Sequence, residues 1–367
     1  MDEQGFVATQ VAHRLGAIGA ARLSLGDTAR DYAVSVSSGG ALAWHAAAHA
    51  PYPANGWWAN PDRPDLPNNS ARGVQPEKSQ GALRSLLRAG ADFDLMIDMQ
   101  DRRVRSLQTP EGEVFPTFVF NRLEGAAGRI LWPMPTDLHE IGANAFLGPF
   151  PDPDALPFAD RSPMVVWRGG MTGRGGRGDV RQEGHRFQKL FAEVVQGRRT
   201  LSWAHKKLHD FPRFAFVRHL ATHPRADVAL IAQDWLHPLS QPILAPMTRP
   251  TLPQRAQARH KYIAVLRGAD LASSFFWTMN SGSLGLVMET PWESFASVHF
   301  KPWVHYVPFN VDMSDFDERF GWCEANPTDC AEMVQAAGQM CHSLARQDWR
   351  DLADRAVIKA LRAVLMG

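Results

Sequence analysis

HKYIAVLRGADLASSFFWTMNSGSLGLVMETPWESFASVHFKPWVHYVPF, residues 260–309, alternates apolar runs with glycine and serine turns. A β-branched apolar run, Tyr262–Leu266, breaks at Gly268, and a helical stretch follows at Leu271–Met279. The Ser281-Gly282-Ser283 turn then leads into a second apolar run, Leu284–Met288. Strand, glycine turn, helix, turn and strand make half of a doubly wound sheet, in which ligands sit at the carboxyl ends of the strands.

Outward from this block the same rhythm continues. The sequence predicts a helix over 3–25, a short amphipathic helix at Lys78–Ala89, and strands at Phe93–Met99, Thr117–Phe120 and Arg129–Trp132. The Pro-rich segment Gly148–Pro163 reads as a domain boundary, because proline blocks regular pairing. Beyond it come a strand at Met164–Trp167, a helix at Gln182–Val195, a strand at Asp227–Ile231 and a largely helical end at 313–366. The expected architecture is α/β: two Rossmann-like domains facing a cleft, with residues 1–154 and 155–340, and a C-terminal helix over 341–367 packing across both. The loop at 35–76, rich in Gly, Pro, Asn and Trp, is long enough to expect a functional role.

The 367 residues, 45% apolar and 21% charged, describe an ordinary globular protein with room for two domains. A formal net charge of +1 argues against bulk nucleic-acid binding and against a polybasic membrane protein. No apolar run approaches the ~18 residues of a membrane span. The acidic start MDEQGFVATQ lacks the basic and apolar regions of a signal peptide. The expectation is therefore a cytoplasmic protein. Cys323, Cys330 and Cys341 lack zinc-site spacing and read as reduced thiols.

The ordered motifs resemble glycosyltransferase family 90, the lipopolysaccharide-modifying, capsule-associated and protein O-glucosyltransferase enzymes. The resemblance rests on HKY-apolar-Gly at 260–268 and Gly-x-Asp-x-Ala at 268–272 leading to Trp277. It also rests on the Ser-Leu strand at 283–288, Pro-Trp-Val-His-Tyr-Val-Pro at 302–308, Val165-Val-Trp-Arg-Gly169 and, more weakly, Phe93–Asp101. It implies a GT-B type fold and inverting, metal-independent transfer of a hexose or pentose from a UDP-sugar to a hydroxyl. The implied acceptor is a glycan or lipid-linked saccharide of lipopolysaccharide core or capsule, met at the inner face of the membrane. No cofactor beyond the donor is implied.

Four groups of residues carry the expected chemistry. The Arg/Gly segment Trp167–Asp179 follows a strand, and glycines and arginines together suit a departing diphosphate. No Gly-Lys-Ser/Thr closes the turn, so it is not a P-loop. The resemblance places Arg168, Gly169, Gly170 and Thr172 along the diphosphate. A second arginine, among Arg174, Arg177, Arg181 and Arg186, joins them, with Arg177 and Arg181 taken forward. For the distal loop arginines, an exposed surface role stays open.

Asp101 closes a predicted strand and matches the acid that serves as general base in the protein-modifying branch, although Arg102 and Arg103 stand where that branch has a proline. A turn-capping role for Asp101 stays open. At the Gly268 turn, Asp270 is placed to cap the next helix, with Ser273 and Ser274 in its first turn. Phe276 and Ser274 occupy positions where relatives carry a basic residue, so either a loop arginine replaces that cation or the enzyme is altered. Glu289 and Glu293 both stand near the end of the second strand as ribose-binding carboxylates, and the motif favours Glu293. His305 reads as a hydrogen-bonded core residue, and the scattered histidines complete no metal frame. Two other readings remain open: a non-catalytic nucleotide-sugar or glycan binder, and a metal-dependent phosphotransferase using the Arg/Gly loop.

Overall fold

The computed structural model describes residues 1–16, 18, 42–47, 50–51, 76–99, 116–134, 156–173, 175–176, 184, 186–233 and 237–366. Asp101, Arg174, Arg177, Arg181 and most of the loop at 35–76 lie outside them. The chain forms two compact units: Met1–Gly148 with Trp292–His299 and His342–Gly367, and Pro149–Pro291 with Phe300–Cys341. The α/β class expected from the sequence holds.

In the first unit, β1 (Leu42–His45) pairs antiparallel with β2 (Ala50–Pro51) and with β3 (Leu95–Ile97). β4 (Thr117–Val119) and β6 (Arg129–Leu131) extend β3 in parallel, giving the order β2-β1-β3-β4-β6. A separate two-stranded ribbon joins β5 (Asn121–Leu123) to β12 (Trp292–Ser294). The first helix, Glu3–Leu15, begins where the Asp2 carboxylate accepts the Gly5 N–H at 2.8 Å.

The C-terminal helix Gln347–Met366 sends Val357, Ile358 and Leu361 into a core with Leu83, Leu86, Phe93, Ile97, Phe118 and Trp132. Each fully buried large apolar side chain contributes roughly 1.5–3 kcal/mol. The helix's apolar stripe belongs to the first unit's core. Arg14 lies 4.3 Å over Trp132 and binds Asp354 of this helix at 2.6 Å, tying the first helix to the last.

The second unit holds β7 (Ser162–Gly169), β8 (Ala226–Ile231), β9 (Thr248–Arg249), β10 (His260–Val265), β11 (Leu284–Met288) and β13 (Val307–Phe309). All six run parallel in the order β13-β11-β10-β7-β8-β9. The first strand is therefore central, the chain winds outward through β8 and β9, then returns to β10 on the other side. That is a doubly wound order, with its reversal between β7 and β10. β11 is buried at every position, as a strand covered on both faces must be.

The Ser281-Gly282-Ser283 turn before β11 is pinned by the buried Arg161, which donates to Ser281 O (2.9 Å) and Ser283 Oγ (2.7 Å). Gly282 there has φ +74°, and an added Cβ would meet the same guanidinium.

The 302–308 run is not one strand. Val307–Phe309 pairs with β11, while Pro302 and Tyr306 make one isolated bridge around a turn, where His305 Nδ1 accepts the Lys301 N–H at 2.9 Å. Burial holds the His305 pKa below its ordinary value, which keeps that acceptor neutral. Trp303 sits in this turn with φ 62° and keeps 37% of its surface exposed.

Candidate functional site

The carboxyl ends of β11, β10, β7 and β8 bring a row of loop residues to one edge of the second unit. β7 ends at Gly169, and Gly170–Gly173 continue from it; β10 ends at Val265 and leads to Gly268. These two loops touch at the reversal point of the sheet. Gly173 has φ +98°, and a Cβ on it would lie 2.5 Å from Gly268 O, so the backbones meet with no room for a side chain. A Cβ on Gly268 would lie 2.9 Å from Arg213 and 3.2 Å from Thr172 Oγ1. Gln233, just past β8, accepts the Met171 N–H at 2.9 Å and fills the space a Gly170 side chain would need. Glu289 follows β11 directly and is exposed.

Arg213 sits at the centre of this edge and was missed by the reading of the sequence. It is the second residue of the helix Pro212–His219, which starts with proline at its first turn. Its guanidinium donates to Gly170 O (2.9 Å), Arg267 O (3.1 Å), Leu266 O (3.2 Å) and Thr172 Oγ1 (2.5 Å), and lies 5.8 Å from the Trp167 ring. Burial lowers its pKa to about 10, with the nearby Asp270 pulling the other way, so it stays charged at neutral pH. Nothing in Asp-Phe-Pro-Arg-Phe announces this role; the arginine is drawn in from outside both glycine loops.

The other expected residues fall differently. Arg168 turns onto the neighbouring strand, donating to Asp227 Oδ1 (2.6 Å) and Asp227 O (2.7 Å). Arg267 donates to Gly176 O at 2.6 Å, holding the glycine loop down. The helix after Gly268 runs Ser274–Met279 with Ser273 at its cap, and no side chain makes the capping bond. Asp270 is instead buried beside Arg213. Phe276 and Trp277 are core.

Glu293 lies in the first unit on β12, opposite Arg122 of β5, whose Nε it accepts at 2.8 Å. Asp98 is buried in the first unit and its N–H pairs with Phe118 O. Among the described residues no group of three or more His, Cys, Asp and Glu is placed to hold a metal. No described helix is long and apolar enough to cross a membrane.

The sequence profile of glycosyl transferase family 90 matches residues 80–349. The chain belongs to glycosyl transferase family 90. The glycine loops, the reversal point of the sheet and Arg213 all fall inside the family's span. Among relatives, the O-glucosyltransferase LpsA of Dichelobacter nodosus is 24% identical over 197 residues, 53% of this chain and 48% of that protein. Protein O-glucosyltransferase 1 of Rattus norvegicus is 31% identical over 81 residues, 22% of this chain and 21% of that protein. Protein 027R of Frog virus 3 is 28% identical over 211 residues, 56% of this chain and 20% of that protein. The chain thus spans about half or less of the length of these curated relatives.

Proposed function

We propose that this family 90 chain moves a sugar from a UDP-sugar to a hydroxyl of a glycan acceptor, with inversion and without a metal. The observation that carries the reading is the contact between the Gly173 and Gly268 loops at the sheet's reversal point, around the half-buried Arg213. Open doubly wound sheets take their ligands there. The second unit holds the donor, with the diphosphate against Gly169, Gly170, Thr172 and Gly268. Arg177 and Arg181, which lie outside the described residues, are the sequence's candidates for its second cation. Glu289, at the carboxyl end of β11 in this same unit, is the better placed of the two carboxylates for the ribose hydroxyls.

The first unit takes the acceptor in a GT-B plan, and Asp101 removes the proton of the attacking hydroxyl. The names of the two O-glucosyltransferase relatives favour glucose as the sugar. The acceptor in this reading is the one the family resemblance implies, a glycan or lipid-linked saccharide of lipopolysaccharide core or capsule.

The test is UDP release from a UDP-sugar panel in chelator, with and without saccharide acceptors. Wild-type protein is expected to turn over one UDP-sugar. Asp101→Asn is expected to lose at least about 100-fold in turnover, the usual worth of a general base, while donor affinity holds. Turnover that needs a divalent metal, or that survives Asp101→Asn undiminished, contradicts the mechanism.

A further inference from the structure

Parallel strands end in carbonyl oxygens, and a row of carbonyls repels an anion placed beyond it. At β7 and β10 this row is already covered. Arg213 takes Gly170 O, Leu266 O and Arg267 O, the carbonyls at the exits of both strands, at 2.9–3.2 Å. Among the described residues no carboxylate makes an ion pair with it, and Asp270 acts on it through space. This half-buried charge therefore opposes the carbonyl dipoles at this edge, with Asp270 offsetting part of it. Its reach ends on Thr172, which is exposed and whose Oγ1 accepts from Arg213 at 2.5 Å. A hydroxyl whose oxygen accepts from a cation has its own proton left to donate outward.

We propose that Arg213 turns the carboxyl ends of β7 and β10 from an anion-repelling edge into a diphosphate site, and that Thr172, held by it, donates its hydroxyl proton to a phosphoryl oxygen. Arg213 is the positioning residue and Thr172 the contact. This rests on the nucleotide-sugar reading above and assigns who recognises the diphosphate within it. The Met171 amide takes no part, being bound to Gln233.

The experiment titrates UDP into the full chain by calorimetry and measures uridine by competition, both in chelator. The ratio of the two affinities isolates what the diphosphate contributes. Thr172→Val, on an exposed residue, is expected to cut that ratio about 10-fold, the usual worth of a hydrogen bond to a charged group, while uridine affinity and melting temperature hold. Thr172→Ser is expected to restore it. Arg213→Lys keeps the charge but cannot span three carbonyls and a hydroxyl, so the ratio is expected to fall there too. A wild-type ratio in Thr172→Val, or in folded Arg213→Lys, overturns the assignment while leaving the nucleotide reading intact. Absence of UDP and uridine binding by the wild-type chain removes both.

Discussion

Gly173→Val is expected to weaken UDP binding by well over an order of magnitude. Two costs act at once. The residue sits at φ +98°, where a β-branched side chain is strained, and its Cβ would lie 2.5 Å from Gly268 O, a backbone atom that cannot rotate away. Strain and overpacking together cost roughly 2–5 kcal/mol. The cheapest relief is to part the two loops, which breaks the surface proposed to hold the diphosphate. Calorimetry should show UDP affinity falling at least about 30-fold, with a smaller loss in melting temperature. Gly321→Ala, in a helix with open space around it, is the control and should match wild type in binding. A Gly173→Val protein that binds UDP normally would mean that the loop contact is scaffolding remote from the ligand.

Arg122→Met is expected to destabilise the first unit without touching donor affinity. Arg122 is buried, and its guanidinium binds four acceptors on three elements of that unit: Glu293 on β12 (2.8 Å), Arg129 O on β6 (2.9 Å), and Arg14 O (3.1 Å) and His13 O (2.5 Å) at the end of the first helix. Removing it leaves a carboxylate and three carbonyls short of a donor. Breaking a buried pair from one side costs about 3–5 kcal/mol, here nearer the lower end because Glu293 is 25% exposed. For a unit of this size the melting temperature should drop on the order of 10 °C. Glu293→Ala should lower it too, by less. The opposite pattern, an unchanged melting temperature with a raised KM for the donor in Glu293→Ala, would return Glu293 to the nucleotide site.

The contrast between Glu293 and Gly268 shows what the sequence could carry. Tyr262–Leu266 and Leu284–Met288 were legible as strands because buried parallel strands are short, apolar and β-branched, and the turns between them are written in glycine and serine. The loop residues Gly169, Gly170 and Gly268 were legible for the same reason, since a glycine flanked by a strand marks a close approach. Glu293 lies four residues past Glu289, and sequence distance does not reveal that the chain crosses to the first unit between them. The ribbon pairing with β5 is long-range and leaves no periodic trace.

Arg213 was hidden for a related reason. Its partners are carbonyl oxygens, which every residue has, so no complementary residue type marks the interaction. Arg168 looked like a phosphate ligand because it stands at a strand end; the acid that takes it, Asp227, belongs to a neighbouring strand nearly sixty positions away. The C-terminal helix was legible as a helix from Val357, Ile358 and Leu361, but not the core it joins.

A crystal structure of the protein with UDP, grown without divalent metal, would locate the diphosphate. The account predicts the diphosphate at the carboxyl ends of β7 and β10, within hydrogen-bond reach of Thr172 and beside Gly268. UDP bound away from that edge, or bound there only through a metal ion, would contradict it.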